Sequence, residues 1–499
     1  MALAQLFSRG QRGLDAYEVV VEIHLAGGLP SFRLSGLPAA AVRESKDRVR
    51  AALQSCGLPL PPRRITAHLG PADIPKEGGR FDLPIALGLA QASQEWTWST
   101  EHIEFLGELA LSGELRPIRG ALPAVIAARD AHRAMVLPAA NADEAALVGD
   151  ATCYAASNIL EVIEHLNGTR PLARVRAAAA AQPVGTELDL ADVAGQQAAK
   201  RAMLIAAAGG HNVLFVGPPG SGKSMLAQRL GGLLPALGAD ELLSVMSIAS
   251  IAGEPVTLGR HSRRPFRAPH HSASVAALVG GGSRPLPGEI SLAHLGVLFL
   301  DELPEFGRAA LEALREPLQS GLINIARAAE TVTYPARFQL IAAMNPCPCG
   351  YLGDGSDRCH CTATRLLQYR ARLSGPLLDR FDIQVAVPRV PYAETRKLQP
   401  CGETAAAAAR VISARAVQLA RGHTLNANLE HRELLSVAPL DVDGQQLLSR
   451  AAEQWQLSAR SCDHILKVAR TIADLDGEQR VAPGHVAEAV QLRCLDRPL

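Results

Sequence analysis

Hydrophobic positions change period several times along this chain, and each change predicts a different element. Residues 17–25 (YEVVVEIHL) alternate apolar and polar side chains, as residues 32–34 do more briefly, which is the two-residue period of a strand. Residues 40–55 (AAVRESKDRVRAALQS) set apolar side chains on one face with charges between them and stop near Gly57, the pattern of one amphipathic helix. The apolar runs at 213–216, 297–300 and 338–344 have no polar face. Bounded by turn residues, such short runs predict strands buried on both sides, as in a parallel sheet covered by helices. Residues 322–338 (LINIARAAETVTYPARF) alternate like a hairpin. After 385–387 the chain turns through prolines. It then reads as helical over 405–420 and 445–475, with a last short helix begun by Pro483.

These patterns divide the chain into an α+β segment at 1–170, a Pro- and Ala-rich linker at 171–188, an α/β core at 189–388 and an all-α lid at 389–499. Length agrees, since 499 residues hold about three domains. Lysines and arginines number 50 against 49 acids, a net +1, so any polyanion has to be held by local patches. No apolar run approaches the roughly 20 residues that span a bilayer, and the first residues lack a secretory hydrophobic core. The expectation is a cytoplasmic protein with no membrane partner. Of nine cysteines, four fall within 347–361, which suits a reduced chain with one metal-type cluster better than a disulfide framework.

The densest chemistry follows the run at 213–216. Gly217, Pro218, Pro219, Gly220, Ser221, Gly222, Lys223, Ser224 and Met225 form a glycine-rich turn between a predicted strand and a predicted helix. Glycines let successive N–H groups converge on nucleotide phosphates, where the start of the helix adds its positive dipole end. Lys223 is expected at the β and γ phosphates, and the Ser224 hydroxyl on Mg²⁺. The run at 297–300 delivers Asp301 and Glu302 at the carboxyl end of a buried strand. There Asp301 would hold the Mg²⁺ shell and Glu302 would orient or deprotonate the attacking water. The third run ends in Asn345, a polar group placed to position that water or the γ phosphate. Arg380 in GPLLDRFD is expected to project into a neighbouring subunit's site. Arg460 follows a predicted cap at Ser458 and is the candidate second phosphate sensor.

Outside the nucleotide loop, residues 260–293 combine Arg264, Arg267, His270 and His271 with a glycine hinge at 280–282, and the 322–338 hairpin adds Arg327. An insertion of this kind suits a phosphate backbone followed without reading bases; an ordinary subunit-interface loop is the alternative. The two histidines, adjacent and therefore pointing apart, are assigned to this loop and not to a metal. Cys347, Cys349, Cys359 and Cys361 form two C-x-C pairs that suit structural zinc, with His360 able to replace one thiolate; a reduced loop or one that oxidises to disulfides is the alternative.

Two resemblances go further. Residues 65–90 (ITAHLGPADIPKEGGRFDLPIALGLA) and 105–141 resemble the proteolytic domain of Lon-type proteases. Aligning Pro75, Lys76, Glu77 and Gly78 puts Arg80 where the serine nucleophile stands, and following Gly107, Glu108, Pro117 and Gly120 puts Leu122 near the lysine base. The resemblance implies a Lon-like fold without peptidase chemistry, which either holds neighbouring subunits or guides a substrate. From the glycine-rich loop to the SAR helix, the remainder resembles AAA+ ATPases of the magnesium-chelatase-like branch. The strings RPFRAPHHSAS (264–274), PGEISLAHLGVLFLDELPEF (287–306) and MNPCPCGYLGD (344–354) resemble the ComM/YifB family over nearly the whole chain. That resemblance implies a homohexameric ring using ATP and Mg²⁺. The ring would act on single-stranded and branched duplex DNA during natural transformation, with recombination proteins as further partners. A chelatase-type or protein-remodelling subunit is the rival reading.

Overall fold

In the computed structural model the described residues are 2–94, 96–176, 188–282, 285–326, 331–391, 402–422 and 424–496. They form two compact units, 1–184 with 239–262 and 185–238 with 263–499. Most of the expected linker lies outside the described residues.

The first unit is built on a seven-stranded mixed sheet. Its strands are β1 (Ala2–Arg12), β2 (Asp15–Ala26), β3 (Ser31–Ser35), β4 (Arg64–Gly70), β5 (Ile103–Phe105), β6 (Ala134–Pro138) and β7 (Cys153–Ala156), in the order β3-β4-β2-β1-β5-β6-β7. The β1–β2 and β2–β4 pairs are antiparallel and the others parallel. The alternation read in β2 is a real inside and outside: Val19, Val21, Ile23 and Leu25 are buried while the residues between them reach the surface. Helix α1 (Asp82–Gln94) lies on this face with almost no polar side of its own. Gly88 is what lets it approach, because a Cβ there would stand 2.6 Å from Ile23 Cγ1 and 2.8 Å from Leu6 Cδ1. The single helix expected over 40–55 is instead two, Ala40–Arg43 and Ser45–Ser55, which meet at Glu44.

Helix α2 (Ala121–Asp130) packs in the same unit against the later segment Ala239–Ala252, and Leu122, Val125, Met246, Ala249 and Val256 share one apolar cluster. Sequence spacing places 239–262 inside the α/β core; its contacts place it with the first unit. The tie is also polar, since Ser250 Oγ donates to Glu144 Oε2 at 2.7 Å and Gly120 N–H to Ser250 O at 3.1 Å.

The second unit holds a five-stranded, all-parallel sheet. Helix α3 (Gln197–Gly209) leads into β8 (Val213–Val216), and α4 (Lys223–Arg229) follows; then come β9 (Phe266–Arg267), β10 (Val297–Leu300), β11 (Gln339–Met344) and β12 (Ile383–Ala386). The order β9-β10-β11-β8-β12 puts β11 between β8 and β10, so their carboxyl ends stand side by side. Every residue of β8, β10 and β11 is buried, which explains why all but Gln339 at the start of β11 are apolar.

Helices α5 (Glu403–Gly422), α6 (Val442–Trp455), α7 (Ala459–Leu475) and α8 (Pro483–Gln491) form the expected helical C-terminal region. One apolar cluster runs from Phe215 and Ile341 through Met203 to Ile465 and Ile472, so sheet and helices share a core. At its edge is a buried polar knot. Asp382, 5% exposed, accepts from His464 Nδ1 and from Asn212 N–H at 3.2 Å, and His211 Nδ1 lies 3.4 Å from its other side. Burial resists ionisation of this carboxyl, but His464 and His211 outweigh it and hold it well below the usual carboxylate range.

Breaking a buried ionic knot by removing one partner costs about 3–5 kcal/mol, so Asp382→Asn is expected to lower unfolding free energy in urea by about that amount. A folded-state pKa below the unfolded value near 3.9 means the Asp382 contribution is present above that pH and lost as pH falls towards the folded value. The difference between wild type and Asp382→Asn should therefore persist at neutral pH and shrink only in acid; equal stabilities at pH 7 would refute it.

Candidate nucleotide-binding site

The chain leaves β8 at Val216 and turns through 217–222 into α4. Gly217 donates its N–H to Met344 O at 3.2 Å, and a Cβ on it would lie 2.1 Å from Val387 O, so only glycine fits between the strand ends. Gly220 and Gly222 have φ of +74° and +93°, which glycine adopts freely and other residues resist. Lys223 is 8% exposed; its Nζ donates to Gly217 O at 2.7 Å, Pro218 O at 3.0 Å and Asn345 Oδ1 at 3.3 Å. Burial lowers its pKa, while Asp301 and Glu302 pull it back up. Pro218 and Pro219 shape the turn, and Met225, 44% exposed, faces outward from the first turn of α4.

The carboxyl ends of β8, β10 and β11 bring together the groups expected from sequence. Ser224 Oγ donates to Asp301 Oδ2 at 2.6 Å, and Asp301 Oδ1 accepts the Glu302 N–H at 2.9 Å. A hydroxyl and a carboxylate in contact supply the oxygen donors that Mg²⁺ prefers. The buried Ser221 hydroxyl has no hydrogen-bond partner among the described residues, a need that a phosphate oxygen in the loop would satisfy. Glu302 has a left-handed backbone, φ +53°, and its carboxylate is half exposed with His271 Nδ1 3.2 Å away.

Gln196 is a site residue that sequence reasoning missed. Its own φ is +53°, and its Nε2 donates to Ser221 O at 3.1 Å and Pro388 O at 2.6 Å, clamping the loop from outside. Nothing along the chain marks it, because both contacts reach residues distant in sequence.

Arg380 donates Nη2 to Gln319 Oε1 at 2.8 Å, and its buried Nε has no partner among the described residues. Burial lowers its pKa, and the charges of Arg460 and Arg315 lower it further, so three guanidinium groups gather in one region. Arg460 is exposed in the first turn of α7, whose cap Ser458 accepts from Ser461 N–H at 3.1 Å as expected. Two arginines read as separate sensors thus lie near each other, an arrangement that favours an anion.

The expectation of one glycine-hinged insertion over 260–293 needs correction. Residues 266–267 are β9, the edge strand of the core sheet, recruited because Phe266 stacks on Phe299 of β10 with centroids 6.0 Å apart. Arg264 donates to Pro235 O at 2.8 Å and Leu295 O at 2.7 Å, and Arg267 forms a two-pronged pair with Glu289 at 2.7 and 2.8 Å. Both arginines therefore support the sheet. His270 is exposed, and its ring lies against that of His271 with centroids 4.1 Å apart and planes tilted by 35°, so the two adjacent histidines do not point apart as expected. The expected hairpin forms from Leu322–Ala326 and Thr331–Pro335; Arg327 lies outside the described residues.

In the first unit, Arg80 is buried and donates Nη2 to Arg119 O at 2.7 Å, while Leu122 is wholly buried in the α2 cluster. The positions aligned with the Lon serine and lysine thus carry a structural cation and a core side chain.

The four cysteines do converge. Cys347 Sγ stands 3.2 Å from Cys349 and 3.8 Å from Cys359, Cys349 is 3.6 Å from Cys359, and all four sulfur atoms lie within 4.8 Å of one another. The Tyr351 N–H and then the Cys347 thiol pull Cys349 down to about 7. This cluster is able to hold a metal ion.

Residues 189–395 match the family model described as magnesium chelatase, subunit ChlI; 21–141 match subunit ChlI of Mg-chelatase; and 402–493 match the subunit ChlI C-terminal model. The chain is 47% identical to Competence protein ComM of Haemophilus influenzae, covering 100% of this chain and 99% of that one. It is 46% identical to YifB of Salmonella typhimurium, covering 100% and 98%. A more distant match, 26% identical over 41% of this chain and 25% of the other, is the DNA replication licensing factor Mcm6 of Drosophila melanogaster.

Because the Gly217 neighbour is a backbone carbonyl, Gly217→Ala cannot be absorbed by a side-chain shift, and overpacking of this kind costs about 1–3 kcal/mol. Its dissociation constant for a fluorescent ATP analogue is expected to rise about tenfold; an unchanged constant would separate Gly217 from the loop's function.

Proposed function

Because the chain belongs to the ComM/YifB family of magnesium-chelatase-like AAA+ proteins, we propose that it is an ATP-driven DNA motor. It works as a homohexameric ring that migrates branches in single-stranded and branched duplex DNA. The observation that carries the reading is the meeting of Lys223, Ser224, Asp301 and Asn345 at the carboxyl edge of one parallel sheet. Loop N–H groups and Lys223 hold the β and γ phosphates of ATP. Ser224 and Asp301 hold Mg²⁺, which neutralises charge developing on the phosphoryl oxygens. Glu302 orients or deprotonates the attacking water, Asn345 fixes its position, and Arg380 and Arg460 answer the γ phosphate, Arg380 from the neighbouring subunit.

DNA enters the proposal through the competence role in one relative's name and the replication role in another's. On that reading the activity helps integrate incoming strands by homologous recombination in natural transformation, in the cytoplasm and alongside recombination proteins. No described helix is long and apolar enough to cross a membrane. With Arg264 and Arg267 engaged inside the sheet unit, the backbone contact falls on exposed His270 and on Arg327, with His271 shared between DNA and Glu302. The first unit is a Lon-like domain without peptidase chemistry, a reading supported by Arg80 and Leu122 at the dyad positions. The ion that suits Cys347, Cys349, Cys359 and Cys361 is structural Zn²⁺.

Hydrolysis and strand exchange on a labelled four-way junction test this. Lys223→Ala is expected to abolish both, and Glu302→Gln to keep nucleotide binding while slowing hydrolysis by about 100-fold or more. Arg327→Ala is expected to weaken the stimulation by DNA and its salt dependence. If DNA changes neither the rate nor the junction in wild type, the motor reading falls and the rival chelatase-type or protein-remodelling reading replaces it.

A further inference from the structure

We infer that the four-cysteine knot, once it holds zinc, is the strut that fixes the phosphate loop, so that zinc occupancy sets the affinity for nucleotide. The inference rests on the reading of 217–224 as the nucleotide site and adds a regulator to it.

The sulfur geometry is that of a closed site. A tetrahedral ion bound to four thiolates at about 2.3 Å sets the sulfur atoms about 3.8 Å apart. The separations among Cys347, Cys349 and Cys359, 3.2, 3.6 and 3.8 Å, lie at or below that value, all four sulfur atoms lie within 4.8 Å of one another, and no pair approaches a bonded disulfide. Four protein ligands leave no open position, so the ion would serve structure and not catalysis.

The knot's place in the fold gives it leverage. Cys347 is wholly buried and follows Asn345, the residue just after β11 whose Oδ1 accepts from Lys223, by two positions. Between the cysteine pairs the chain doubles back at Gly350, φ +86°, and there its backbone lies directly on the phosphate loop. A Cβ on Gly350 would stand 2.8 Å from Pro219 Cδ, 2.9 Å from Pro219 Cγ and 3.9 Å from Asn345 Cγ. Gly350 thus sits flush between one residue of the phosphate loop and the polar end of β11.

Little else holds this excursion. Residues 351–362 form no helix or strand. Their side chains pair locally: Asp354 accepts from Ser356 and Arg358, and Arg358 covers the Tyr351 ring at 4.2 Å. A short loop without an apolar core of its own depends on a cross-link for its shape, and a bound metal supplies one. With the knot closed, Gly350 is held against Pro219; with it open, the loop loses the wall on that side. Affinity then falls because the loop must order itself when phosphate binds.

The test uses the full chain, ZnSO₄ as the metal and a fluorescent ATP analogue with Mg²⁺ as the nucleotide. About one zinc per chain is expected in wild type, measured by release to a chromogenic chelator. Stripped protein should retain its far-ultraviolet circular dichroism and bind the analogue about tenfold more weakly, with affinity restored by stoichiometric ZnSO₄. Cys359→Ser should reproduce the stripped state. Gly350→Ala keeps every ligand, so it should keep its zinc yet still bind the analogue several-fold more weakly, which tests the contact even if metal-free protein fails to fold. Zinc below about half an equivalent in wild type would overturn the metal site. Full zinc, with stripped protein and Gly350→Ala both within about twofold of wild type, would overturn the coupling and leave the site standing. Zinc-loaded wild type that binds no analogue would overturn the nucleotide reading and the coupling with it.

Discussion

Strands that are apolar on both faces do not set their own register, because slipping by a residue moves one buried side chain onto the place of another. In the second unit the register is set at the amino edge of the sheet by polar side chains. Asn212, just before β8, accepts from Leu340 N–H of β11 at 2.8 Å and donates to Arg380 O at 2.9 Å on the approach to β12. Gln339 at the start of β11 reaches Ala206 O at 3.0 Å and His211 O at 2.6 Å, and Asp382 takes the Asn212 N–H. Each of these groups would be buried and unsatisfied after a slip, which costs more than any apolar rearrangement returns. Everything at the opposite edge depends on this. Only with Val213 and Phe299 both level with Ile341 do Ser224, beyond the loop that follows β8, and Asp301, two positions after Phe299, meet.

Charge in this unit is divided by partner. Arg267 with Glu289 and Arg470 with Asp474 are closed pairs that hold elements together, and the Gln479 and Glu478 carbonyls complete the second. Arg380 lies near Arg460 and Arg315 with Asp379 as its counter-charge, Arg315 being paired with Glu312 at 2.7 Å, and Lys223 rests on carbonyls and an amide. Cations of the first kind stabilise the fold as it stands. Those of the second kind keep most of their electrostatic attraction for an anion.

What could be read from sequence follows from whether the signal was local. The runs at 213–216 and 297–300 became β8 and β10 with those bounds, and 338–344 became β11 less one residue, because a short apolar run between turns has few other solutions. Pro483 at a helix start and Ser458 as a cap were legible for the same reason. Helix α1 was not, since a helix buried all round has no polar stripe to give the 3.6-residue period. Strand β9, two residues long, exists because Phe266 finds Phe299, a contact invisible along the chain. Within the site, the loop and its acidic strand were legible as motifs. The Gln196 clamp, the nearness of Arg380 to Arg460 and the contact of Gly350 with Pro219 were not, because each joins residues far apart in sequence.

Residues 239–262 group with a unit that otherwise ends at 184, and this has a bearing on how the chain is made. As the polypeptide leaves the ribosome from its amino end, β1 to β7 and α2 emerge first, but Met246, Ala249 and Val256 belong to the cluster around α2 and arrive later. Between them the ribosome must release β8 and the glycine loop, whose own sheet still lacks β10, β11 and β12. The leading unit is therefore completed across an unfinished one, and neither is a bead to be closed before the next begins. A gene cut at the apparent linker would yield an amino-terminal fragment with an open apolar face, and the interleaving would bind the two halves to a common evolutionary history.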